Sequence, residues 1–386
     1  MDKQIKVFFN LRDSSRERMW DTARQAERVC SAIIPKQKPL SSIERTKQKN
    51  NKKAFIKRFI YKTKKTVLRH FPLINYQSIP SPADADMLYM WGAFPVNTKK
   101  PFILELDNPF VLTYYNQIGF RLRLHSLKKR LHKAEALTFL SETARNHALE
   151  LFGQEFSSKS YTLPPVMERN YQSNRRHNDG IVRFLFIGMG YRRKGLPELL
   201  AAFDQLDTKS IRLTVIADVD KGLRDMYGSD TRITFLPSQP RDVLFKDFYP
   251  THDVFILPSL LESLGVVILE ALSFGMAIIT TDLYATPEMV QDGQNGRLLP
   301  HPFLKHTKLN GIPVIDCVGI PSNRFQDGYL NKVSLYPELA ESTAQAITEA
   351  VVHYKEWQKK SGALYEQKYT PEIWESKFRS VLSSTK

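Results

Sequence analysis

The segment Asp253–Glu270, which reads DVFILPSLLESLGVVILE, restricts the folds open to this chain more than any other stretch. Its apolar run, Val254–Leu257, is stopped abruptly by Pro258 and Ser259, which is typical of a buried strand reaching the end of a parallel sheet. A loop and a second apolar run follow. A strand, a loop and a helix in this order predict an open α/β sheet, in which the helix N-terminus favours an anion through its free amides and its dipole.

The helix predicted after this strand has one acid before it and another inside it. Ser263 is predicted as the N-cap, Gly265 as a point where the backbone approaches another group closely, and Val266–Leu272 as the apolar face. Glu262 precedes the helix, and Glu270 lies two turns inside it. The alternative is an ordinary amphipathic helix with Glu270 in solvent.

In wording and spacing this segment resembles the Glu-(seven residues)-Glu motif of retaining glycosyltransferases of the large family 4, usually written P-S-x-x-E-S-x-G-x-x-x-x-E. The positions that carry the resemblance are Pro258, Ser259, Glu262, Ser263, Gly265 and Glu270, with Leu264 where the family usually has Phe. Downstream, Gly275, Thr280 and Pro287-Glu288 fit the same family. The resemblance implies the GT-B architecture, an α/β fold with two Rossmann-like doubly wound domains facing a cleft.

Length agrees with two domains, because 386 residues are too many for one compact core of ordinary size. We expect residues 1–170 to form an N-terminal Rossmann-like acceptor domain and residues 181–365 a C-terminal Rossmann-like nucleotide-sugar donor domain. A last helix, in residues 366–386, would cross back to the first domain. The polar stretch Glu168–Gly180 has the composition of a linker.

Apolar periodicity predicts the remaining elements. In the first domain the predicted strands are Lys6–Asn10, Met87–Met90, Phe102–Leu106 and Leu137–Leu140, and the predicted helices cover residues 14–32 and 141–152. In the second domain the predicted strands are Val182–Ile187, Arg212–Ala217, Ile233–Leu236, Val254–Leu257 and Ala277–Thr281, and the predicted helices cover residues 197–206 and 339–354.

The predicted strand Val182–Ile187 runs into a loop that reads GMGYRRKG. In the family an Arg and a Lys at this place hold the donor diphosphate. Lys194 matches, but Met189 stands at the Arg position, so that contact is absent or has moved to Arg192 or Arg193. A glycine turn with three consecutive cations can neutralise two phosphates without a metal. The alternative is an exposed loop of solvated charge.

The resemblance also implies a role for each motif residue. Glu262 would orient the sugar hydroxyls, and Glu270 would accept hydrogen bonds from the ribose hydroxyls. The backbone amides from Ser263 to Val266 would hold the phosphates together with the cations. The donor-binding residues expected in this way are Gly188, Arg192, Arg193, Lys194, Ser263, Leu264, Gly265, Val266 and Glu270, and the catalytic ones are Glu262 and Asp107.

Asp107 is the candidate on the acceptor side. Many relatives have a His at the end of a strand of the first domain, whereas here Glu105, Asp107 and Trp91 are the nearest polar or aromatic residues. We expect Asp107 to orient the acceptor or to accept its proton. Alternatively, it forms an Asx turn that breaks the strand before Pro109.

The net charge of +16 is concentrated in one segment, since Lys36–Arg69 has thirteen Lys or Arg against a single acid and contributes +12. Within it, Lys52–Phe71 divides into apolar and cationic faces, which is typical of a helix lying in an anionic membrane surface. Gly119–Lys133 is a second cationic stretch. An ordinary surface helix is the alternative. Nucleic acid is not an expected partner, because no aromatic platform or zinc-finger pattern accompanies the charge.

No cofactor and no metal are expected, since the cations at Arg192–Lys194 can take the place of a metal. The pairs Asp84–Asp86 and Asp218–Asp220 have the Asp-x-Asp spacing that holds manganese in the other major glycosyltransferase fold, but no supporting ligand lies nearby in the sequence. Two cysteines, Cys30 and Cys317, favour a reducing compartment. With no apolar signal core and no run of about eighteen apolar residues, we expect a cytoplasmic protein or one peripheral on the inner face of the membrane.

These features together predict a retaining, metal-independent glycosyltransferase. It would move a sugar from a nucleotide-sugar donor to a glycan or lipid-linked acceptor, in the synthesis of cell-surface polysaccharide or glycolipid. The alternative is a non-catalytic nucleotide-sugar or glycan-binding protein of the same fold, which Met189 and the missing His favour. The sequence assigns neither the base, the sugar nor the acceptor, and residues 301–336 carry no motif.

Overall fold

A computed structural model describes residues 4–13, 15–36, 71, 73–79, 83–302 and 335–385. The predicted basic helix at Lys52–Phe71, apart from Phe71 itself, and most of the motif-free stretch 301–336 therefore lie outside the described residues. By their contacts, the described residues up to Val166 and from Pro371 onward form one compact unit, and those from Met167 to Thr370 form a second. None of the helices in the described ranges combines the length and the apolar character needed to cross a membrane.

The first unit is built on a parallel sheet. In chain order the strands described for it are β1 (Lys6–Phe9), β2 (Ser31–Ile33), β3 (Tyr76–Ser78), β4 (Met87–Trp91), β5 (Phe94–Val96), β6 (Phe102–Leu106), β7 (Ala136–Phe139) and β8 (Ser160–Thr162). Six of them form one sheet in the order β2-β1-β4-β6-β7-β8, and β3 and β5 pair separately. Every one of these pairings is parallel.

Helices cover this first sheet. Those described are α1 (Glu17–Ala26), α2 (Gln117–Leu131) and α3 (Glu142–Phe152). Helix α3 begins as predicted, because the Ser141 hydroxyl accepts a hydrogen bond of 3.0 Å from the amide of Ala144. The C-terminal helix Pro371–Ser383 also belongs to this unit, since Trp374 and Phe378 are buried in the same apolar cluster as Phe9.

The second unit repeats the design with another six-stranded sheet. Its described strands are β9 (Val182–Ile187), β10 (Ile211–Ile216), β11 (Ile233–Leu236), β12 (Val254–Leu257), β13 (Ala277–Thr281) and β14 (Gly296–Leu299). They are parallel and lie in the order β11-β10-β9-β12-β13-β14. The main helices are α4 (Leu196–Asp204), α5 (Lys221–Tyr227), α6 (Val266–Ser273) and α7 (Pro337–Lys368), and in chain order the helix Pro371–Ser383 is α8.

In both sheets the strand order reverses beside the first strand in the chain. β1 lies between β2 and β4, and β9 lies between β10 and β12. In a doubly wound sheet the loops on the two sides of this reversal diverge and leave a crevice at the carboxyl ends of the strands, where ligands bind. The predicted fold class, two Rossmann-like doubly wound α/β domains, is confirmed, and each sheet has one such position.

Three local predictions were wrong. The helix predicted over residues 14–32 ends at Ala26, because residues Ser31–Ile33 pair with β1 as an edge strand instead. The helix predicted to end at residue 354 continues to Lys368, passing Gly362 in its interior. The N-cap of α6 is Gly265, in a left-handed conformation with φ 79°, and not Ser263.

Candidate active site

The two loops that the motifs mark, residues 188–195 and 258–265, follow the neighbouring strands β9 and β12 and are locked together. The amide of Leu260 donates to the carbonyl of Arg193 at 2.9 Å. Gly195 has φ 74°, and a Cβ added there would overlap the carbonyl oxygen of Pro258. Only glycine allows this conformation and this approach without strain. The strand reversal therefore brings both predicted motifs to one place.

Lys194 and Glu262 form an ion pair where these loops meet. Their side chains are only 10% and 14% exposed, so the pair is largely removed from water. Burial alone would raise the pKa of Glu262, but the charge and the hydrogen bond of Lys194 outweigh it, and the pKa lies below its ordinary value. Glu262 is thus a carboxylate held beside an ammonium group, and the predicted phosphate-binding and sugar-orienting side chains contact each other directly.

The other residues of the first loop differ in exposure. Gly188 is buried, and a Cβ there would come within 2.9 Å of Cγ of Lys194. Arg193 is half-buried and donates from Nη1 to the carbonyl of Leu261 at 3.3 Å, whereas Arg192 is exposed. Met189, at the position of the family Arg, is 76% exposed. Of the two arginines proposed to replace that Arg, Arg193 is the one in contact with the second loop.

The N-terminus of α6 lies at the same junction. Its first residue is Val266, after the left-handed Gly265, and the amide of Ser263 donates to Oε1 of Glu262 at 3.1 Å. Leu264 is buried. The first-turn amides of a helix have no intrahelical acceptor, and its dipole favours negative charge there. This geometry is compatible with the predicted phosphate contacts from Ser263 to Val266, which stay a prediction.

Glu270 lies further along α6 and belongs to a second cluster. It is buried, its Oε1 accepts from Nε of Arg241 at 2.8 Å, and its Oε2 accepts from the hydroxyl of Tyr249 at 2.8 Å. The guanidinium of Arg241 also lies 4.6 Å from the ring centre of Phe245. The alternative of a solvated Glu270 is therefore wrong. Its ribose contact stays a prediction, and any ribose would meet a carboxylate already oriented by Arg241 and Tyr249.

His301 is a member of the site that the sequence analysis missed. It follows β14, is buried, and its Nε2 lies 3.1 Å from the carbonyl oxygen of Leu260 in the second loop. Burial lowers the pKa of His301 to about 4, so the ring is neutral at pH 7. The only signal for it was its place after the second strand beyond the motif, and the sequence analysis grouped it with the motif-free stretch.

The first unit has a cavity of about 590 Å³ beside its own strand reversal. Arg12, Arg16 and Arg18 line it from the segment after β1, and Trp91 and Asp107 line it from the ends of β4 and β6. None of the three arginines was recognised in the sequence, because they follow no motif. Asp107, the predicted acceptor-side residue, is thus placed in a cavity of the first unit, and its role there stays a prediction.

Glu105 forms the floor of this cavity. It is buried, and its Oε1 accepts from Nη1 of Arg18 at 2.7 Å while its Oε2 accepts from the hydroxyl of Tyr89 at 2.9 Å. Burial opposes the charge on Arg18, but the charge and hydrogen bond of Glu105 prevail and raise the pKa of Arg18. The network fixes the Arg18 guanidinium at the cavity wall.

Asp107 is oriented by its own neighbours. It accepts from the amide of Asn108 at 2.9 Å and from the hydroxyl of Tyr115 at 3.4 Å. The Asx turn proposed for Asp107 is made by Asn108 instead, whose side chain accepts from the amide of Phe110 at 3.0 Å. Burial and then the negative charge of Asp107 raise the pKa of Tyr115, so its hydroxyl stays protonated and donates.

The Asp-x-Asp pairs take part in local hydrogen bonds. Oδ1 of Asp220 accepts from the amide of Leu223 at 3.0 Å and caps α5, and Oδ1 of Asp218 accepts from the amide of Ser238 at 3.1 Å. Oδ2 of Asp86 accepts from the amide of Lys6 at 2.9 Å. These contacts give the carboxylates structural roles, and independence of metal stays a prediction.

The second unit resembles a known protein family. Residues 182–303 match the family model described as "Glycosyl transferases group 1". The match covers all six described strands of the second sheet, so the second unit resembles this family. A phosphatidyl-myo-inositol mannosyltransferase of Mycolicibacterium smegmatis is 31% identical over 214 residues, 54% of this chain and 51% of that protein. The chain spans about half the length or less of the first curated relatives it matches, 32%, 40% and 51%.

Solved structures extend the likeness of fold to the whole chain. The Anabaena protein Alr3699/HepE in complex with UDP-glucose has a TM-score of 0.60 at 12% identity, covering 99% of this chain and 100% of that one. The lipopolysaccharide outer core galactosyltransferase WaaB, in its apo form, has a TM-score of 0.57 at 11% identity and covers 99% of both chains. At such identities the likeness shows the shared fold, which is of the GT-B kind.

Proposed function

We propose that this protein is a glycosyltransferase that uses a nucleotide-sugar donor. The observation that carries the proposal is the Lys194–Glu262 pair at the meeting of the β9 and β12 loops. The match of residues 182–303 to the group 1 family supports it. The solved structures of Alr3699/HepE, which share this fold, are complexes with UDP and glucose and with UDP-glucose, and we infer that UDP-sugars are the first donor class to test.

We infer a retaining reaction that needs no metal. The departing diphosphate takes on negative charge as the glycosidic bond breaks, and preorganised cations and amides stabilise that charge. Lys194, Arg193 and the first-turn amides of α6 would supply this stabilisation. Glu262, deprotonated beside Lys194, would accept hydrogen bonds from the sugar hydroxyls.

We infer that Asp107 orients the acceptor or accepts its proton within the first-unit cavity. The acceptor would be a glycan or a lipid-linked glycan.

A membrane location is supported by α2, on which Ile118 and Leu122 lie one turn apart and are each 71% exposed. Arg121 stands between them, and three more cations, Lys128, Lys129 and Arg130, occupy the last turn. Exposed apolar side chains flanked by cations favour binding to anionic lipid at the interface.

A non-catalytic nucleotide-sugar binder is the second candidate, and the exposed Met189 favours it. At this position the family uses a cation on the diphosphate, and a methionine supplies no charge. A binder would hold the donor without weakening the glycosidic bond. Turnover therefore separates the two functions.

The deciding experiment incubates the purified chain with UDP-glucose, UDP-galactose, UDP-N-acetylglucosamine and GDP-mannose, with and without EDTA. We expect donor hydrolysis or transfer with one of them, undiminished by EDTA, and retention of the anomeric configuration by NMR. Lys194→Met should reduce turnover by about 100-fold or more. Lys221→Met, whose side chain is 90% exposed, is the matched control and should not. Tight donor binding with no turnover would favour the non-catalytic function.

A further inference from the structure

The charged residues that line the cavity of the first unit include more arginines than acids. It is lined by three arginines, Arg12, Arg16 and Arg18, and by two acids, Glu105 and Asp107. Glu105 is fully engaged by Arg18 and Tyr89, both at hydrogen-bond distance. Its charge is therefore already neutralised on the cavity floor, and it does not offset the two remaining arginines.

Arg12 and Arg16 keep their charge. Arg12 is held by neutral groups, with Nη2 3.5 Å from the carbonyl oxygen of Ser78 and, when the Gln77 amide is oriented with its oxygen inward, 3.1 Å from that oxygen. Arg16 has no ion-pair partner within the described part of the chain. Both side chains are exposed at the cavity. The cavity wall formed by the segment after β1 thus presents two guanidinium groups that form no ion pair with a described carboxylate.

The backbone adds to this positive field. Arg16 lines the cavity and is also the N-cap residue of the ten-residue helix α1. The positive end of the helix dipole therefore lies beside the cavity. Arg18 lies in the first turn, is 9% exposed, and its Nε has no hydrogen-bond partner among the described residues. A buried donor without a partner is rare in folded proteins, and a bound ligand or water is one explanation for it.

Aromatic side chains line the rest of the cavity. Trp91, Tyr114 and Tyr115 all belong to its wall. Tyr114 and Tyr115 are successive residues in the left-handed region, with φ 54° and 63°. Such conformations are costly for residues other than glycine and cluster at binding sites, where the surrounding structure maintains them. Aromatic walls with a few placed polar groups are typical of small-molecule sites.

We propose that this cavity binds an acceptor carrying an anionic group, a phosphate or a carboxylate, next to the sugar that is glycosylated. Arg12 and Arg16 would take the anion, because a guanidinium presents paired donors that match the oxygens of either group. The aromatic wall would contact the sugar ring, and Asp107 would face its hydroxyl. The inference rests on the proposed glycosyltransferase function and specifies its acceptor class.

The test measures binding by calorimetry with the full chain, in the presence of saturating UDP so that sites on the second unit are occupied. The probes are glucose 1-phosphate, glucuronic acid and methyl glucoside. We expect the wild type to bind at least one anionic probe, and the neutral glycoside at least about tenfold more weakly. Binding of glucose 1-phosphate alone would identify a phosphate-bearing acceptor, and binding of glucuronic acid alone a uronic acid.

Two double variants with equal loss of charge locate the site. Arg12→Gln with Arg16→Gln should lower the affinity for the anionic probe by at least about tenfold, which corresponds to the loss of one charge-assisted hydrogen bond. Arg24→Gln with Lys99→Gln, exposed cations of the same unit outside the cavity, should leave it unchanged. All four substituted residues are exposed, so folding, checked by thermal unfolding, should be retained.

Equal binding of anionic and neutral probes, or anionic binding that survives in the Arg12/Arg16 variant, would overturn the proposal. UDP binding and donor hydrolysis by the same variants separate this result from a failure of the proposed function. If the wild type binds the anionic probe but no nucleotide sugar, the anion site stands and the transferase function fails. If it turns over the donor but binds no anionic probe, the reverse holds.

Discussion

The two units use one sheet design for two different sites. Each has its candidate site beside the strand reversal, after β1 in the first unit and after β9 in the second. In the second unit this position is filled with mutually engaged groups, Lys194 with Glu262 and Glu270 with Arg241. In the first unit it is a cavity of about 590 Å³ whose arginines are only partly engaged.

This difference indicates how each site recognises its ligand. A pre-paired cluster on two interlocked loops suits one invariant chemical group, such as a diphosphate, because few other groups fit the fixed donors. A cavity lined by exposed arginines suits a ligand that differs from one enzyme to another. The following changes are ordered by expected effect, and each tests one side of this comparison.

The largest effect should come from the interlocked loops of the second unit. Gly195→Ala places a Cβ on the carbonyl of Pro258 and strains a residue with φ 74°, so it should lower the free energy of unfolding by more than about 3 kcal/mol. Gly180→Ala is the matched control, since Gly180 has φ 77° but no described atom within 4 Å of the added Cβ, and it should cost about 1 kcal/mol. Chemical denaturation measures both. Equal losses would show that the loops are not interlocked.

The second effect concerns Glu270. Glu270→Gln keeps the size of the side chain but removes the charge that orients Arg241, and if Glu270 holds the ribose it should weaken binding of UDP by about 1.5 to 3 kcal/mol. Calorimetric titration of UDP is the measurement, and Arg241→Gln should reproduce part of the loss. Unchanged UDP affinity in Glu270→Gln would leave Glu270 with a structural role only.

The third effect is a dependence of stability on pH. Burial lowers the pKa of His252 and of His301 from 6.5 to about 4. The unfolded chain therefore takes up protons between pH 6.5 and 4 that the folded unit does not, and stability falls as the pH falls through this window. Each histidine contributes up to about 1.4 kcal/mol per pH unit. The first unit has one such described histidine, His147, so its loss should be less steep.

Hydrogen exchange at pH 6.5, 5.5 and 4.5, read separately for peptides of the two units, measures this difference. The variant His252→Gln with His301→Gln should flatten the pH dependence of the second unit and leave that of the first unchanged. Because carboxylates titrate identically in variant and wild type, the difference between them isolates the histidines. An unaltered slope in the variant would assign the acid sensitivity to other groups.

The smallest effect should be at the surface of α2. Ile118→Ser with Leu122→Ser, or Arg121→Gln, should reduce flotation with anionic vesicles at low salt, each cation contributing about 1 kcal/mol. Val352→Ser, at a residue 73% exposed on the second unit, is the control. Binding should disappear at high salt, because exposed charges are screened. A wild type that does not float at low salt would favour a soluble acceptor.

The sites of the two units also differ in how much of each could be predicted from the sequence. The strands β9, β12 and β13 were predicted residue for residue, because buried parallel strands are short apolar runs with abrupt ends. The edge strand β11, which is only partly buried, was also predicted with its observed bounds. The contacting pair Lys194 and Glu262 was found because both residues lie in motifs of fixed spacing directly after such strands.

The other residues of the two sites could not be predicted, because they are far apart in the sequence and follow no motif. Arg12, Arg16 and Arg18 join Trp91 and Asp107 only through the strand order of the first sheet. Arg241 and Tyr249, which orient Glu270, lie in short helical segments after β11 and follow no motif. The N-cap of α6 was misplaced because a serine two residues before it fits the usual preference, while the left-handed turn at Gly265 decides the start.

The most direct test of the central claim is a hydrogen-exchange footprint of UDP on the wild-type chain. If the loops after β9 and β12 hold the diphosphate, saturating UDP should slow exchange in peptides covering residues 188–195 and 258–266 more than anywhere in the first unit. Lys194→Met should lose this protection at the same UDP concentration. UDP binding confirmed by calorimetry without protection of these two loops would contradict the account.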